Sequence, residues 1–281
     1  MPVSRPSAEV PVPQGWGPRT ILRGSLALHL CAGAAVIARP AIWPWALGAV
    51  VADHLLISAA GLWPRSRLLG SNWTRLPASA GPAAVALTID DGPDPEVTPR
   101  VLELLASHHA CATFFCIGEK LRSHPALARE ILERGHAIEN HSEHHSMGFS
   151  LLGPKGMTAE VARAQESIRE VTGEVGRFFR APAGLRNLFL DAVLRRTNLE
   201  LVSWTRRGFD TVDRDPARVL KRLTRGLAGG DILLLHDAHA ARTATGAPVI
   251  LEVLPPLLET IAVRRLTLVT LRAAFAGAGR A

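Results

Sequence analysis

The segment "VALTIDDGPDP" (residues 85–95) combines an apolar run with two adjacent carboxylates and a sharp turn. It begins as an apolar run that is typical of a buried strand, reaches two adjacent carboxylates, and then turns at Gly92-Pro93. Adjacent carboxylates repel each other and are costly to bury, so their position at a strand end requires a compensating partner. A bound cation is the obvious candidate. The stretch therefore predicts a strand that ends in a functional site.

Strand-like and helical patterns alternate along the chain around this stretch. The strand-like runs occupy residues 85–90, 112–118, 136–140, 177–180, 199–204, 231–237 and 265–271. Helical patterns occupy residues 125–135, 158–173, 215–230 and 248–263, the last interrupted by Pro255-Pro256. Alternation of this kind predicts parallel strands joined by helical crossovers, which is an α/β fold. Seven such units favour a barrel over an open sheet.

Two long apolar stretches, residues 21–38 and 41–63, precede this region. The second is long enough to span a bilayer, which needs about 20 residues. A helix from Trp43 or Trp45 to Trp63 is about 27–30 Å long, which matches the apolar thickness of a bilayer with an aromatic ring at each interface. The sequence predicts an N-terminal hydrophobic helical hairpin in a membrane. The alternative is a pair of amphipathic or buried helices packed on the soluble domain.

Polar residues within the hairpin require partners. Asp53 and His54 fall near the middle of the second stretch, where polar side chains are expensive in a bilayer. We expect them to pair with His29 or to line the contact between the two helices. Arginines flank the hairpin on both outer sides, and the positive-inside rule then places both termini in the cytoplasm. This predicts a protein of the bacterial inner membrane with a cytoplasmic soluble domain.

The charge of the chain is unevenly distributed. Of the formal net charge of +7, a surplus of five belongs to residues 1–82, which contain seven arginines against Glu9 and Asp53. A nucleic-acid-binding domain would carry its basic face on the folded part, so nucleic acid is excluded as a partner. Small residues and prolines after the hairpin predict a linker. The predicted organisation is an N-terminal segment (1–69), a linker (70–82), a soluble domain (83–272) and a tail (273–281).

Polar signals follow five of the candidate strands. They are Asp90-Asp91, His141 to His145, Arg180 to Gly184, Asp210 and His236. In a barrel of parallel strands the carboxyl ends meet on one face, where active sites lie. We therefore expect these side chains to share one site.

The aspartates and histidines have the spacing of a metal site. Asp90 and Asp91 are neighbours at a strand end and are expected to face opposite ways, so that one binds a metal and the other holds a water. His141 and His145 face the same side of a helical turn, although His144 fits as well as His145 on spacing alone. Two histidines and one carboxylate leave positions for water, as in catalytic sites of zinc; cobalt, nickel or iron also fit. Without a metal, these residues form a solvated turn and a histidine-rich loop.

Two further residues have acid–base character. Arg180 follows an aromatic-rich strand, and an arginine beside a carboxylate keeps it ionised. Pro182 and Gly184 predict a tight loop that presents a backbone N–H group. His236 ends a buried strand, where it can act as a general acid near neutral pH, and His239 is a weaker candidate. The alternatives are an ordinary surface arginine and a histidine at the edge of the core.

Four motifs in order, "TIDDGP" (88–93), "HSEHH" (141–145), "RAPAG" (180–184) and "LLLHD" (233–237), resemble those of the polysaccharide deacetylase family. This is the NodB-homology domain of carbohydrate esterase family 4. The resemblance covers residues 83–272 and implies a distorted (β/α)7 barrel. It also implies a metal-dependent hydrolase that removes an N-acetyl or other N-acyl group from an amino sugar.

The resemblance also assigns roles to individual residues. It implies Asp90 as general base, with Arg180 orienting that base. It implies His236 as general acid, with Asp210 tuning that acid. The implied divalent metal, most commonly Zn²⁺, is held by Asp91, His141 and His145, and the oxyanion by the backbone N–H of Ala183 in the loop from Pro182 to Gly184.

The chain departs from the family pattern at residues that contact sugar rings. Ala183 replaces the usual aromatic residue, Arg207 occupies the position of the first Asp of the DxxDW motif, and Thr211 replaces its Trp. Because aromatic side chains stack on sugar rings, their loss argues against a long glycan groove. We expect a lipid-linked or short amino-sugar substrate at the membrane. The alternative is a catalytically inactive module of the same fold that binds glycan or serves as a membrane anchor.

Overall fold

The structure is a computed structural model and describes residues 18–276. Its first two helices, α1 (Pro18–Ala38) and α2 (Trp43–Leu62), pack against each other and are joined by a 3-10 turn at Pro40–Ile42. Both helices are long and apolar enough to cross a membrane, and their apolar segments are almost entirely uncovered by the rest of the protein. The predicted hydrophobic helical hairpin is therefore present, while Trp16 lies outside the described residues.

The polar residues of the hairpin pair with one another between the two helices. Ser25 Oγ donates to Asp53 Oδ2 at 2.5 Å. The Nε2 atoms of His29 and His54 lie 3.2 Å apart. The expectation that Asp53 and His54 pair across the helix contact is confirmed, because these pairs place polar groups against each other instead of against the surroundings.

The domain is built on parallel strands that occur in the predicted order. They are β1 (Ala84–Asp90), β2 (Thr113–Cys116), β3 (Ala137–Asn140), β4 (Phe178–Phe179), β5 (Glu200–Leu201), β6 (Arg206–Arg207), β7 (Ile232–His236) and β8 (Thr267–Leu268). Seven of them form one path in the order β5-β4-β3-β2-β1-β7-β6, and β8 pairs with the start of β1. β1 and β7 are buried along their whole length, as strands covered on both faces must be.

The seven-stranded path curves into a distorted barrel. Its two edge strands, β5 and β6, share no ladder within residues 18–276, yet only Val202 to Thr205 separate them along the chain. Five residue steps span at most about 18 Å, so the two edges must approach each other. The predicted (β/α)7 barrel is confirmed in this open form. The sequence pattern missed β6, because two arginines do not resemble a strand.

Helices cover the sheet between the strands. They are α3 (Thr98–Ser107), α4 (Gly118–Ser123), α5 (Pro125–Glu133), α6 (Pro154–Thr172), α7 (Leu190–Arg196), α8 (Pro216–Thr224), α9 (Val249–Val263) and α10 (Leu271–Ala274). The four predicted helices correspond to α5, α6, α8 and α9. The predicted interruption of α9 is wrong, because the helix continues through Pro255 and Pro256. Burial of most of its apolar side chains outweighs the cost of an interior proline, about 3 kcal/mol.

The packed domain extends past both predicted boundaries. Within the segment predicted as a linker, Leu76 is buried and Trp73 pairs in parallel with Val202. Within the predicted tail, Phe275 is fully buried and its ring lies edge-on to Trp73, with 4.7 Å between the ring centroids. These contacts make residues from both flanks part of one core beneath the barrel.

Candidate active site

The polar residues that follow the strands converge at the carboxyl ends of β1, β3, β4, β6 and β7. A cavity of ≈ 450 Å³ opens there, and its walls include Asp90, Asp91, His141, His145, Ala183, Gly184 and His236. Arg180 and Asp210 are buried and bond to wall residues. Strand direction alone explains the convergence, because parallel strands all deliver their following residues to the same rim.

Both aspartates face this cavity, contrary to the expectation that they point in opposite directions. Strand alternation ends at Asp90, because Asp91 has a left-handed backbone with φ 76°. The next residue must be small, since a Cβ atom on Gly92 would overlap the carboxylate of Asp237. A single backbone reversal therefore brings both carboxylates to one site.

Asp91, His141 and His145 form a group that can hold a metal ion. Their ligand atoms all lie within 4.8 Å of one another. Asp91 Oδ1 is 3.2 Å from His141 Nε2 and 3.3 Å from His145 Nε2, and this oxygen is buried without a hydrogen-bond partner. A buried carboxylate oxygen is costly unless it is paired, and here it faces two imidazole nitrogens. One carboxylate and two imidazoles match the ligand set of a catalytic divalent metal.

Contacts around the two histidines also fit a metal site. His141 Nδ1 lies 2.8 Å from the backbone oxygen of Arg180 and donates to it, which orients the ring with Nε2 toward Asp91. Burial, followed by the charge of His141, lowers the pKa of His145 to about 4. Neutral imidazoles are the form that binds metals.

The two histidines meet in a loop, so the predicted helical turn is wrong. Ser142 and His145 have φ values of 62° and 51°. The loop is held by Ser142 N, which donates to Asn140 Oδ1 at 2.9 Å, and by His145 N, which donates to Ser142 Oγ at 3.0 Å. His144 points away, with its Nδ1 2.7 Å from Glu160 Oε1. The structure thus selects His145 over His144.

Arg180 is a buried cation that fixes Asp90. Its Nη1 atom donates to Asp90 Oδ1 at 2.6 Å and to Thr88 Oγ1 at 2.7 Å. Its other nitrogens donate to the backbone oxygens of Val202 and Ser203, and the guanidinium lies 4.1 Å from the ring centroid of Phe115. Because the donors are satisfied and the charge is paired, the ion pair is held rigidly inside the barrel.

His236 lies on the cavity wall and is held by Asp210. Asp210 Oδ1 is 3.0 Å from His236 Nδ1, and Oδ2 accepts the backbone N–H of His236 at 2.7 Å. Burial is the largest single influence and disfavours the imidazolium, but the carboxylates of Asp210, Asp90 and Asp91 together outweigh it, with Asp210 contributing most. The result raises the pKa of His236 to about 9. Its Nε2 atom is therefore an available proton donor at neutral pH.

Comparison with known proteins agrees with this geometry. The family model described as polysaccharide deacetylase matches residues 78–202. The chain is 33% identical over 159 residues to a chitooligosaccharide deacetylase of Azorhizobium caulinodans, covering 55% of this chain and 74% of that protein. The chain belongs to the polysaccharide deacetylase family.

Further similarities within the polysaccharide deacetylase family differ in extent. A peptidoglycan-N-acetylglucosamine deacetylase of Listeria monocytogenes is 31% identical over 161 residues, covering 57% of this chain but 34% of that protein. The chain thus spans about a third of the length of this relative. A family 4 carbohydrate esterase from Streptomyces lividans, solved in complex with acetate, superposes with a TM-score of 0.62 and 28% identity. That match covers 71% of this chain and 96% of the esterase.

The loop after β4 is the one that bears an aromatic residue in the family pattern and Ala183 here. Residues Pro182–Gly184 form a 3-10 turn in which Ala183 and Gly184 have φ values of 54° and 74°. A Cβ atom on Gly184 would lie 2.6 Å from the Trp204 ring and 2.8 Å from Pro64. The tight turn predicted from Pro182 and Gly184 is present, and crowding explains the glycine.

Sequence reasoning missed several residues that shape this polysaccharide deacetylase site. Thr88 supports Arg180, while Met147, Trp204 and Leu234 line the cavity. Two of these were detectable, because Thr88 and Leu234 lie two residues before Asp90 and His236 and so face the same side of their strands. His239, the weaker candidate, reaches the site with Nδ1 3.1 Å from Asp91 Oδ2, although its side chain is 61% exposed.

Proposed function

We propose that this protein is a metal-dependent hydrolase that removes an N-acetyl or related N-acyl group from an amino sugar at a membrane surface. The relatives are named as deacetylases of glycans. The observation that carries the proposal is the cavity in which Asp90, held by Arg180 at 2.6 Å, and His236, held by Asp210 at 3.0 Å, flank the Asp91–His141–His145 group.

Asp91, His141 and His145 are the residues that would hold the divalent ion, with Zn²⁺ the expected metal and Co²⁺, Ni²⁺ or Fe²⁺ compatible with the same ligands. When bound, such an ion supplies Lewis acidity toward the amide carbonyl and toward a water molecule. The backbone oxygen of Arg180 keeps the His141 ring oriented through its Nδ1 atom. Arg180 therefore supports both the base and one metal ligand.

Asp90 is the proposed general base. Arg180 stabilises the charge of its carboxylate and directs Oδ1 inward, so Oδ2 is the oxygen left to accept a proton from the attacking water. Asp90 Oδ2 lies 3.8 Å from His141 Nε2, which places it beside the metal ligands without direct contact. The base can therefore act on a water located at the metal group.

His236 is the proposed general acid. Although burial opposes it, the carboxylates of Asp210, Asp90 and Asp91 raise its pKa to about 9, so the imidazole is protonated at neutral pH and can donate its Nε2 proton to the departing amine. The backbone N–H of Ala183, in the left-handed turn at the cavity wall, is the proposed donor to the developing oxyanion. Pro182 and Gly184 set the direction of that donor.

The membrane location of the substrate is proposed from the contact between the hairpin and the cavity. Trp63, at the end of α2, is exposed and is followed by Pro64, which lies against Gly184 at the cavity wall. Arg186 N donates to Gly61 O at 3.2 Å, and Ser203 Oγ donates to Pro64 O at 2.6 Å. These bonds tie the end of α2 to the loops that shape the cavity.

If the hairpin spans a bilayer, the exposed Trp63 ring lies at the interface. The cavity then opens within a few residues of the membrane surface. We therefore favour a short or lipid-linked amino sugar over a long polymer, in agreement with the missing aromatic side chains at Ala183 and Thr211.

The proposal is tested with the purified full chain loaded with Zn²⁺. Release of acetate is measured from soluble N-acetyl oligosaccharides and from polyprenyl-linked N-acetyl sugars in vesicles. The matched variant is Asp90→Asn, which preserves shape but cannot accept the proton. We expect it to lower kcat by about 10²–10⁴-fold while metal content stays at the level of the wild-type protein.

Two outcomes contradict the proposal in different ways. Exclusive turnover of long soluble oligosaccharides contradicts the proposal that the substrate lies at the membrane. A protein that takes up no Zn²⁺ and releases no acetate, yet binds glycan, is instead the catalytically inactive module of the same fold.

A further inference from the structure

Arg207 is a cation on the wall of the catalytic cavity. Its guanidinium carbon lies 5.4 Å from the ring centroid of Trp204 and 5.1 Å from that of Phe209. Both distances are within the range in which an aromatic ring attracts a cation. The two rings therefore hold the guanidinium in one place and leave its N–H groups for other partners.

No protein group in the described part of the chain neutralises the charge of Arg207. Among residues 18–276, no carboxylate lies within ion-pair distance of it, and its Nε atom is buried without a hydrogen-bond partner. Neighbouring arginines differ in this respect. Arg206 bonds to Asp231, and Arg222, whose guanidinium also faces the Phe209 ring, bonds to Asp213 at 2.7 Å. An arginine that is fixed in position and lacks a carboxylate is suited to bind an anion from solution.

The sign of this charge is reversed relative to the family pattern, in which an Asp occupies the position of Arg207. An Asp there would repel an anionic substrate, whereas an arginine attracts one. Guanidinium groups match the oxygens of phosphates and carboxylates with two parallel hydrogen bonds, and of these two anions the phosphate ester is the one that a lipid-linked sugar contains. A sugar linked to a polyprenyl carrier is joined to it by such an ester.

We propose that Arg207 forms a phosphate subsite, so that the substrate is an amino sugar bearing a phosphate ester close to its N-acyl group. This inference rests on the proposed function, because it concerns the same cavity. It makes Arg207 a residue that determines specificity by binding the substrate away from the reacting atoms.

The test measures binding and turnover separately, using the full chain. Binding uses product-like ligands, glucosamine 1-phosphate and methyl glucosaminide, and the selectivity ratio is the Kd of the neutral ligand divided by that of the phosphate. We expect Arg207→Gln to lower this ratio about ten- to hundredfold, and Arg207→Lys to retain most of it because the positive charge remains. Arg222→Gln is the matched control, since this arginine faces the same ring but lies outside the cavity, and its ratio should equal that of the wild type.

Turnover is then compared for N-acetylglucosamine 1-phosphate, its methyl glycoside, and polyprenyl-phosphate-linked N-acetylglucosamine in vesicles. A preference for both phosphorylated substrates that disappears in Arg207→Gln supports the subsite. A preference for the vesicle substrate alone that is unchanged in Arg207→Gln would show that the membrane provides the selectivity, and it would overturn the phosphate subsite.

The binding arm separates this inference from the proposed function. A ratio that depends on Arg207 in a protein that releases no acetate supports the subsite and contradicts the hydrolase. Acetate release with equal ratios in the wild type and Arg207→Gln contradicts only the subsite.

Discussion

The carboxylate of Asp210 holds His236 at two points, accepting from its backbone N–H at 2.7 Å and lying 3.0 Å from its ring Nδ1. Because Asp210 is fully buried, water does not screen its charge from the imidazole. Burial opposes the imidazolium, but this contact, together with the charges of Asp90 and Asp91, raises the pKa of His236 to about 9. A histidine with an ordinary pKa of about 6.5 would be mostly deprotonated at pH 8.

The first prediction concerns the pH dependence that this contact creates. A general acid acts in its protonated form, so activity falls as the pH rises through its pKa, near 9 in the wild type. In Asp210→Asn we expect the alkaline limb of the kcat profile to move down by about two units, toward the ordinary pKa of histidine, with kcat at pH 8 reduced about tenfold. Asp213→Asn, which removes a carboxylate that pairs with Arg218 and Arg222 outside the cavity, is the control. An alkaline limb that stays near pH 9 in Asp210→Asn would show that another group donates the proton.

The second prediction separates the two histidines that the sequence left as alternatives. His145→Ala removes a ligand atom that lies 3.3 Å from Asp91 Oδ1, whereas His144→Ala removes a ring that bonds to Glu160. Loss of an outer-shell partner already lowers metal affinity about 10–100-fold, so loss of a ligand should lower it by more. We expect little change in His144→Ala. Calorimetric titration of each metal-free variant with Zn²⁺ measures its affinity for the metal. Equal losses of affinity in the two variants would refute the assignment of His145 as the ligand.

The third prediction concerns crowding at the catalytic loop. Gly184 and Gly173 have the same φ of 74°, but only Gly184 has neighbours where a Cβ atom would be, at Trp204 and Pro64. Gly173→Ala should cost about 1 kcal/mol in the free energy of unfolding from backbone strain alone. Gly184→Ala should cost a further 1–3 kcal/mol, roughly, from overpacking, and should also lower kcat because the turn at Ala183 shifts. Denaturant unfolding of the two variants measures the free energy of unfolding. Equal losses in the two variants would show that the loop around Gly184 accommodates a Cβ atom without cost.

The fourth prediction concerns the hairpin and the segment that follows it. A chain that begins at Ala59 lacks the membrane-length helices but keeps Leu69, Trp73 and Leu76 in their packed positions. We expect it to move from the membrane fraction to the soluble fraction with its fold retained. A chain that begins at residue 80 should lose roughly 3–6 kcal/mol of unfolding free energy, because those side chains are no longer buried.

Fractionation and thermal melting of both truncated chains beside the full chain make the comparison. Solubility of the full chain without detergent would contradict membrane attachment. Equal stability of the two truncated chains would contradict the structural role of residues 69–76.

Much of the fold follows from local patterns. Buried strands such as β1 and β7 appear as continuous apolar runs, because both of their faces are covered. Helices α5 and α6 appear as periodic patterns, because only one face of each is buried. The pattern fails for β6, which contains only two residues, and for α3, which was not predicted and whose first turn contains a proline and an arginine. The sequence pattern also misplaces the domain boundaries. Trp73 and Phe275 pack against each other, and no local pattern in the sequence indicates that contact.

The sequence alone determined the chemistry available to this protein: the aspartates, histidines and arginine of the four motifs, their order, and their positions after parallel strands that must end on one rim. Tertiary structure decided how they are used. Left-handed turns at Asp91 and His145 direct their side chains into one cavity, Asp210 changes the pKa of His236, and Pro64 brings the hairpin to the cavity wall. These relations join residues far apart in the chain. They depend on distances and dielectric surroundings that exist only once the barrel has folded around them.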